Sequence, residues 1–367
     1  MTHRTKHRFA VKPILFAVAC FGIGTTLTPD SCAQSQEPEI RFGTAVPPDV
    51  EAIYERGLQW LVRNQDKDGT WHGGENHHGG GPGNSGITGM VVMAFLASGE
   101  DPNFGAYADS IRRALQALIR GQDLKSGYLP GSMYHHGFAM LSLAEAYGVV
   151  DEETLWQGSG EEKETQRSIG EALELAVRCA VTAQKNNPWG GWRYAPSASD
   201  ADTSVSGAVL MGLLAARNAG IRVPDETIDN AISYFQKMTS SQGAVGYSGG
   251  VGGWGGSKNL QAIASLIYAV GRRKDLDEYQ AVTSQVTLNL EHTDNGYPEY
   301  FRYYMAQALF QGDFDSWQRW NQLTIRQLKN LQAEDGHFES RHGAAYGTSM
   351  SMLALALNYR FLPVYER

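Results

Sequence analysis

The stretch RGLQWLVRNQDKDGTW, residues 56–71, decides how this chain reads. It begins as an amphipathic helix, stops on a glutamine, and passes through a charged turn that ends Gly-Thr-Trp. A helix end leaves carbonyl groups without intrahelical partners, and a tryptophan two residues past a glycine has the form of a lock on a tight loop. The same order recurs down the chain from Asp49: an amphipathic helix, a Gly-rich loop carrying an aromatic, then a more apolar helix rich in Ala, Gly and Ser. The loop aromatics are Trp71, Tyr128, Trp192, Tyr247, Tyr297 and Phe338, spaced 41 to 64 residues apart. A fixed architectural unit repeated at such a period is the signature of a repeat fold.

The polar-faced helices are expected over 49–64, 106–121, 164–184, 225–238, 275–290 and 314–332, with Asp49 and Asp225 placed to cap the first and fourth behind Pro48 and Pro224. The apolar helices are expected over 85–98, 133–147, 202–218, 257–271, 298–311 and 346–359. Segments such as VVMAFLA and MSMLALAL are apolar all round, and such helices are buried all round. Period-2 alternation is missing almost everywhere, so strands do not compete. The fold class is therefore all-α: an α/α toroid of six helical hairpins, with the apolar helices as an inner ring and the amphipathic ones outside. An open superhelix is the alternative. Closure is preferred because it leaves no apolar flank exposed. The charged segment 149–164 reads as a surface loop.

The opening stretch also fits a known pattern, carried by Arg56, Gly57, Trp60, Leu61, Gln65, Gly69 and Trp71. It resembles the QW repeat of squalene–hopene cyclases, whose α/α toroid is shared by protein prenyltransferase β subunits. Gln332, Gly336 and Phe338 make a second close copy, and Gln122, Gln184 and Gln236 or Gln242 are recognisable in other units. His292 takes the glutamine position in the fifth. The resemblance implies that these glutamines tie helix ends together and that the aromatics stack on the loops. It also implies that the inner-helix starts face a central cavity.

Two family sites can be compared residue by residue. Squalene-type cyclases carry Asp-x-Asp-Asp-Thr at an inner-helix start, the central Asp being the proton donor. The matching stretch here is Ser199-Asp200-Ala201-Asp202-Thr203, with Ala201 at the donor position. Prenyltransferases hold zinc with Asp, Cys and His from late inner helices. The cysteine outside the N-terminal segment is Cys179, in an outer helix, so that site does not transfer.

The candidates that remain sit at inner-helix starts, where polar ligands are favoured. Asp202, His135, His136 and Glu299 are the catalytic candidates. A pocket is expected from Asp200, Tyr134, Trp254, Tyr300, Tyr303 and Tyr346. His135, His136, His78 and His342, from consecutive units of a closed ring, could hold a divalent metal. Three functions follow: a divergent enzyme or binder for an apolar or isoprenoid-like ligand; a glycan lyase or hydrolase using Asp202 and Glu299 with aromatic platforms; or a scaffold whose ring is filled by side chains.

The chain has 367 residues, 42% hydrophobic and 19% charged, which is ordinary globular composition. Its formal net charge of −8 argues against a nucleic-acid partner. Arg4, Lys6, Arg8 and Lys12 precede a short apolar run at 14–27, and Ser31-Cys32-Ala33 offers a cleavage site. Residues 1–33 read as a signal peptide, 34–48 as a linker and 49–367 as the toroid domain. Export to the periplasm or medium is the expectation, with Cys32 as a less favoured lipidation point and no transmembrane segment left after cleavage. Removing four positive charges and Asp30 from −8 leaves −11.

Overall fold

The computed structural model describes residues 46–73, 84–160, 166–250 and 256–365. The expected signal segment, His78 and Trp254 lie outside the described residues. Twelve α-helices make up the described chain: α1 (Pro48–Arg63), α2 (Ser85–Ala97), α3 (Ala108–Gly121), α4 (Met133–Ala146), α5 (Ile169–Lys185), α6 (Thr203–Asn218), α7 (Asp225–Met238), α8 (Lys258–Val270), α9 (Asp277–Thr287), α10 (Pro298–Gly312), α11 (Phe314–Leu331) and α12 (Ala344–Leu355). Among the described residues no strand forms; a single antiparallel bridge joins Thr239 and Val245. None of these helices is long and apolar enough to cross a membrane.

The even-numbered helices form the inner ring. Each packs on the next, α2 on α4 and so on to α10 on α12, and α12 packs back on α2. The odd-numbered helices lie outside them, and α11 meets α1. The ring is closed, as the lack of a polar flank requires. Small residues set the inner spacing. A Cβ at Gly137 would stand 2.6 Å from the Ala208 carbonyl carbon, so α4 and α6 touch backbone to backbone there. Beyond α12 the chain makes two short 3-10 turns, and Pro363–Tyr365 packs against α6 across the ring. The segment 148–160 is a run of turns, but it is not all surface: Leu155 is buried and its carbonyl accepts from the Gln116 carboxamide.

The glutamine joints explain why the outer helices end where they do. Gln65 Nε2 donates to the carbonyl of Gly69 in its own loop and to that of Ser110 in the next outer helix, both at 2.9 Å. Gln122 repeats this with Gly127 and Ala172, Gln184 with Gly190 and Thr227, and Gln332 with Gly336 and Ile53. The last pair joins unit six to unit one and so closes the outer layer. The loop glycine takes a positive φ, +93° at Gly69 and +105° at Gly336. A Cβ at Gly336 would meet the Arg56 carbonyl oxygen at 2.3 Å. Two residues on, a buried side chain fills the slot behind the loop: Trp71, Leu129, Trp192 and Phe338. The Trp71 and Trp192 indoles donate to the Leu61 and Ala180 carbonyls.

Four sequence expectations are corrected. In unit two the locking residue is Leu129, because the slot is counted from Gly127, and Tyr128 instead stacks on His136. In unit four Gly243 is kept, but Thr239 and Val245 occupy the glutamine and aromatic slots, which leaves Tyr247 two residues beyond. Gln236 merely reaches Glu278 Oε2 at 3.5 Å. In unit five the joint is lost, and Tyr297 is half exposed at the start of α10 rather than locked. Asp49 and Asp225 also prove to lie inside their helices, whose N-cap positions are Pro47 and Pro224.

Candidate functional site

Inner helices that all start at one end of a ring bring their N-termini together. They surround a cavity of about 600 Å³. Its described walls come from all six units. Ile87 and Met90 come from α2; Ser132, Tyr134 and His135 from the start of α4; Tyr194 and Ser204 from the start of α6 and the loop before it. Tyr247, Asn259 and Leu260 come from unit four, Asp294, Tyr297 and Tyr300 from unit five, and His342 and Tyr346 from unit six. Of the candidates drawn from the sequence, Tyr134, His135, Tyr300, His342 and Tyr346 line it.

Tyr194, Tyr247 and Tyr297 line the cavity without being candidates from the sequence. A positional signal was available for two of them: Tyr194 is two residues past Trp192, and Tyr247 two past Val245. That position lies beyond the lock and turns to the mouth. The two hydroxyls meet at 2.8 Å. The Arg193 guanidinium lies 5.6 and 5.5 Å from the two ring centroids, within cation–π range.

The floor is a packed set of phenols. Tyr300 and Tyr304 have ring centroids 4.8 Å apart, as do Tyr303 and Tyr304, and Tyr134 stands 6.1 Å from Tyr300. Burial pushes the Tyr134, Tyr300 and Tyr304 hydroxyls well above the ordinary phenol range, so they stay protonated. Tyr134 and Tyr300 face the cavity, while Tyr304 and Tyr303, the latter against Phe138, lie behind them and do not line it. At the mouth Tyr297 stacks on His342 at 5.9 Å with an interplanar angle of 8°, and Arg341 covers the Tyr297 ring at 4.2 Å. Two lining residues carry a polar atom that is buried and without a hydrogen-bond partner, Asn259 at Oδ1 and Tyr300 at its hydroxyl, and a ligand hydroxyl reaching either would satisfy it.

The acidic candidates sit elsewhere. Asp202 is fully buried as the N-cap of α6, its Oδ1 accepting from the Val205 amide and the Ser204 hydroxyl. Arg193 approaches its Oδ2 at 3.6 Å and also pairs with the exposed Asp200 at 3.4 Å. Burial raises the Asp202 carboxyl above its usual range, against the pull of those hydrogen bonds and of Arg193. Glu299 is buried near Arg302 and Tyr346, off the described lining. Asp294 is the one carboxylate among the described lining residues, and its Oδ1 is held by the Gly296 and Tyr297 amides. The pair of Asp202 and Glu299 therefore does not converge on the cavity.

The two adjacent histidines have different work. His136 is fully buried. Its Nδ1 accepts from the Leu129 amide, and Nε2 donates to the Ala176 carbonyl. Thr88, Ser206 and Thr348 make the same bond to the locking residue in units one, three and six. His136 is thus the unit-two form of a structural joint, and burial drives its pKa down to about 4. His135 alone of the pair faces the cavity. Among the described residues no three His, Cys, Asp or Glu side chains converge to hold a metal ion. His136 is spent on the joint and His342 stacks on Tyr297, so the four-histidine set is not assembled by the residues described. Cys179 is buried in α5 with its thiol pushed up to about 11, which leaves it unreactive.

No family model and no curated protein matches the chain. Solved structures do match in fold. The GH76A α-1,6-mannanase of Salegentibacter sp. HEL1_6 is similar at 9% identity over 85% of this chain and 99% of its own, with a TM-score of 0.59. A variant of the type II terpene cyclase MstE from Scytonema, in complex with its substrate geranylgeranyl dihydroxybenzoate, is similar at 15% identity over 86% and 98%, with a TM-score of 0.56. The Lin0763 protein from Listeria innocua is similar at 11% identity over 84% and 96%, with a TM-score of 0.54. At these identities the likeness is one of fold, and it places the chain among the α/α toroids.

Proposed function

We propose that this chain is an exported α/α toroid whose mouth cavity binds an apolar, isoprenoid-like ligand carrying a hydroxyl or similar polar end. One observation carries the reading: a cavity of about 600 Å³ whose described walls are mostly aromatic rings and aliphatic side chains, with a single, already engaged carboxylate. That volume suits a small-molecule site, which commonly spans about 300–1,000 Å³ with a few placed polar groups. Asn259 would take the polar end, and the tyrosine floor the hydrocarbon. The terpene cyclase of like fold holds a geranylgeranyl compound, which is consistent with this reading.

Glycoside hydrolysis is the weaker reading, because two carboxylates must flank the scissile bond and the described lining offers one. Proton-initiated cyclisation is also not favoured, since Ala201 replaces the donor and Asp202 is engaged as a cap.

Isothermal titration calorimetry with geranylgeraniol and with α-1,6-mannotriose separates the readings. The expected result is saturable binding of geranylgeraniol alone, weakened about tenfold or more, some 1.4 kcal/mol, by Tyr300→Ala. Binding of the trisaccharide without the isoprenoid alcohol would overturn it.

A further inference from the structure

The starts of the inner helices differ in one telling way. Asn84 caps α2, Asp202 caps α6 and Ser257 caps α8, each side chain accepting from a first-turn amide. Ser132 occupies the same position on α4, yet its side chain makes no capping bond. Its hydroxyl goes instead to His135 Nδ1, at 2.8 Å. Both residues line the cavity. The imidazole is held from two sides. A Cβ at Gly86 would lie 2.7 Å from His135 Cδ2, and one at Gly131, which has φ +119°, would lie 2.9 Å from Cγ. Two positions without side chains thus leave a slot that fits the ring and fixes its attitude.

A serine hydroxyl within hydrogen-bond reach of a fixed imidazole is the basic arrangement of nucleophilic acyl transfer. The remaining need is a donor for the oxyanion. The Tyr134 amide, in the uncapped first turn of α4, has no acceptor among the described residues. It stands beside Ser132 at the positive end of a helix dipole, where developing negative charge is stabilised.

We infer that Ser132 and His135 form a nucleophile–base pair that hydrolyses carboxylic esters with an apolar chain. The apolar character of the substrate rests on the proposed ligand; the pair itself does not. In the tautomer protonated at Nε2, Nδ1 takes the Ser132 proton as Oγ bonds to the ester carbonyl carbon, and the carbonyl oxygen becomes an oxyanion facing the Tyr134 amide. Collapse breaks the carbon–oxygen bond to the alcohol, which leaves with the proton held on His135. Water then attacks the acyl-serine, gives a proton to His135, and releases the acid as that proton returns to Ser132. No oxidant or reductant is needed, and water is the co-reactant.

The test is covalent. The intact protein is incubated with a long-chain alkyl fluorophosphonate, which phosphonylates activated serines with loss of fluoride, and the adduct is located by mass spectrometry. The expected result is one adduct, on Ser132, absent from Ser132→Ala and formed about 10²-fold or more slowly by His135→Gln, with both variants keeping the parent's circular dichroism. An unlabelled parent protein, an adduct that persists in Ser132→Ala, or a His135→Gln variant that labels at the parent's rate would overturn the inference. Titration of Ser132→Ala with geranylgeraniol keeps the two readings apart. Binding by this variant together with an unlabelled parent removes the esterase alone. A labelled parent that binds no geranylgeraniol removes the apolar ligand and leaves the pair standing.

Discussion

Units one and four show what the ring is built from and where it was given up. In unit one Gln65, Gly69 and Trp71 hold the loop: two carbonyls are satisfied, a positive-φ glycine is pressed on α3, and an indole is fully buried. In unit four Gly243 still lies against the Ala281 carbonyl, but Thr239 and Val245 stand where the glutamine and tryptophan belong. Gln261, on inner helix α8, takes over the bond to the Gly243 carbonyl. The tyrosine that follows, Tyr247, faces the cavity. Unit five goes further: with no joint, its loop places Asp294, Gly296 and Tyr297 on the wall. Intact joints spend the aromatic at the locking position on stability, whereas the tyrosine two residues further on serves the cavity behind an intact lock, as Tyr194 does in unit three, and behind a degraded one, as Tyr247 does.

The sharpest way to break this contrast is to truncate one aromatic of each kind. Trp71→Ala removes a fully buried indole and its bond to Leu61, with an expected loss of about 3–5 kcal/mol. Tyr247→Ala, at the half-buried mouth, should cost about 1 kcal/mol or less. Denaturant unfolding followed by circular dichroism measures both, and equal losses would erase the distinction.

The next effect is set by pH. His136 does in unit two what a hydroxyl does in units one, three and six, so this joint alone can be titrated. Its folded pKa, about 4, lies below the unfolded value of about 6.5. The unfolded chain therefore binds more protons between those values. Burial of the neutral imidazole sets this difference, so the stability is fully present above about 6.5 and is lost as pH falls toward 4, amounting to about 3 kcal/mol. His136→Thr, which installs the side chain found at Thr88 and Thr348, should flatten the stability profile by about that amount over this window. An unchanged slope would show that His136 is not the group responsible.

These particulars also show what the sequence could disclose. The helices were legible within a few residues, because an apolar-all-round helix alternating with an amphipathic one has few structural solutions. Ring closure was legible for the same reason. The joints were harder. The register is counted from a glycine of positive φ, and a sequence shows many glycines, so the sequence does not separate Tyr128 from Leu129 or Tyr247 from Val245 as the locking residue. The site was half legible. Inner-helix starts converge in any closed toroid, and Tyr134, His135, Tyr300 and Tyr346 accordingly line the cavity. Direction was not legible. Adjacent residues on a helix diverge by about 100°, so His135 and His136 look alike in the sequence yet serve the cavity and the joint respectively. Asp202 and Glu299 likewise share the level of the cavity but turn away from its described lining.

The most direct test of the account is a crystal structure of the protein grown with geranylgeraniol. The expected result is continuous hydrocarbon density over the Tyr300 floor, bounded by Tyr247 and Tyr297, with the hydroxyl within hydrogen-bond distance of Asn259 Oδ1. Ligand density elsewhere on the molecule, with the cavity closed by its own side chains, would contradict it.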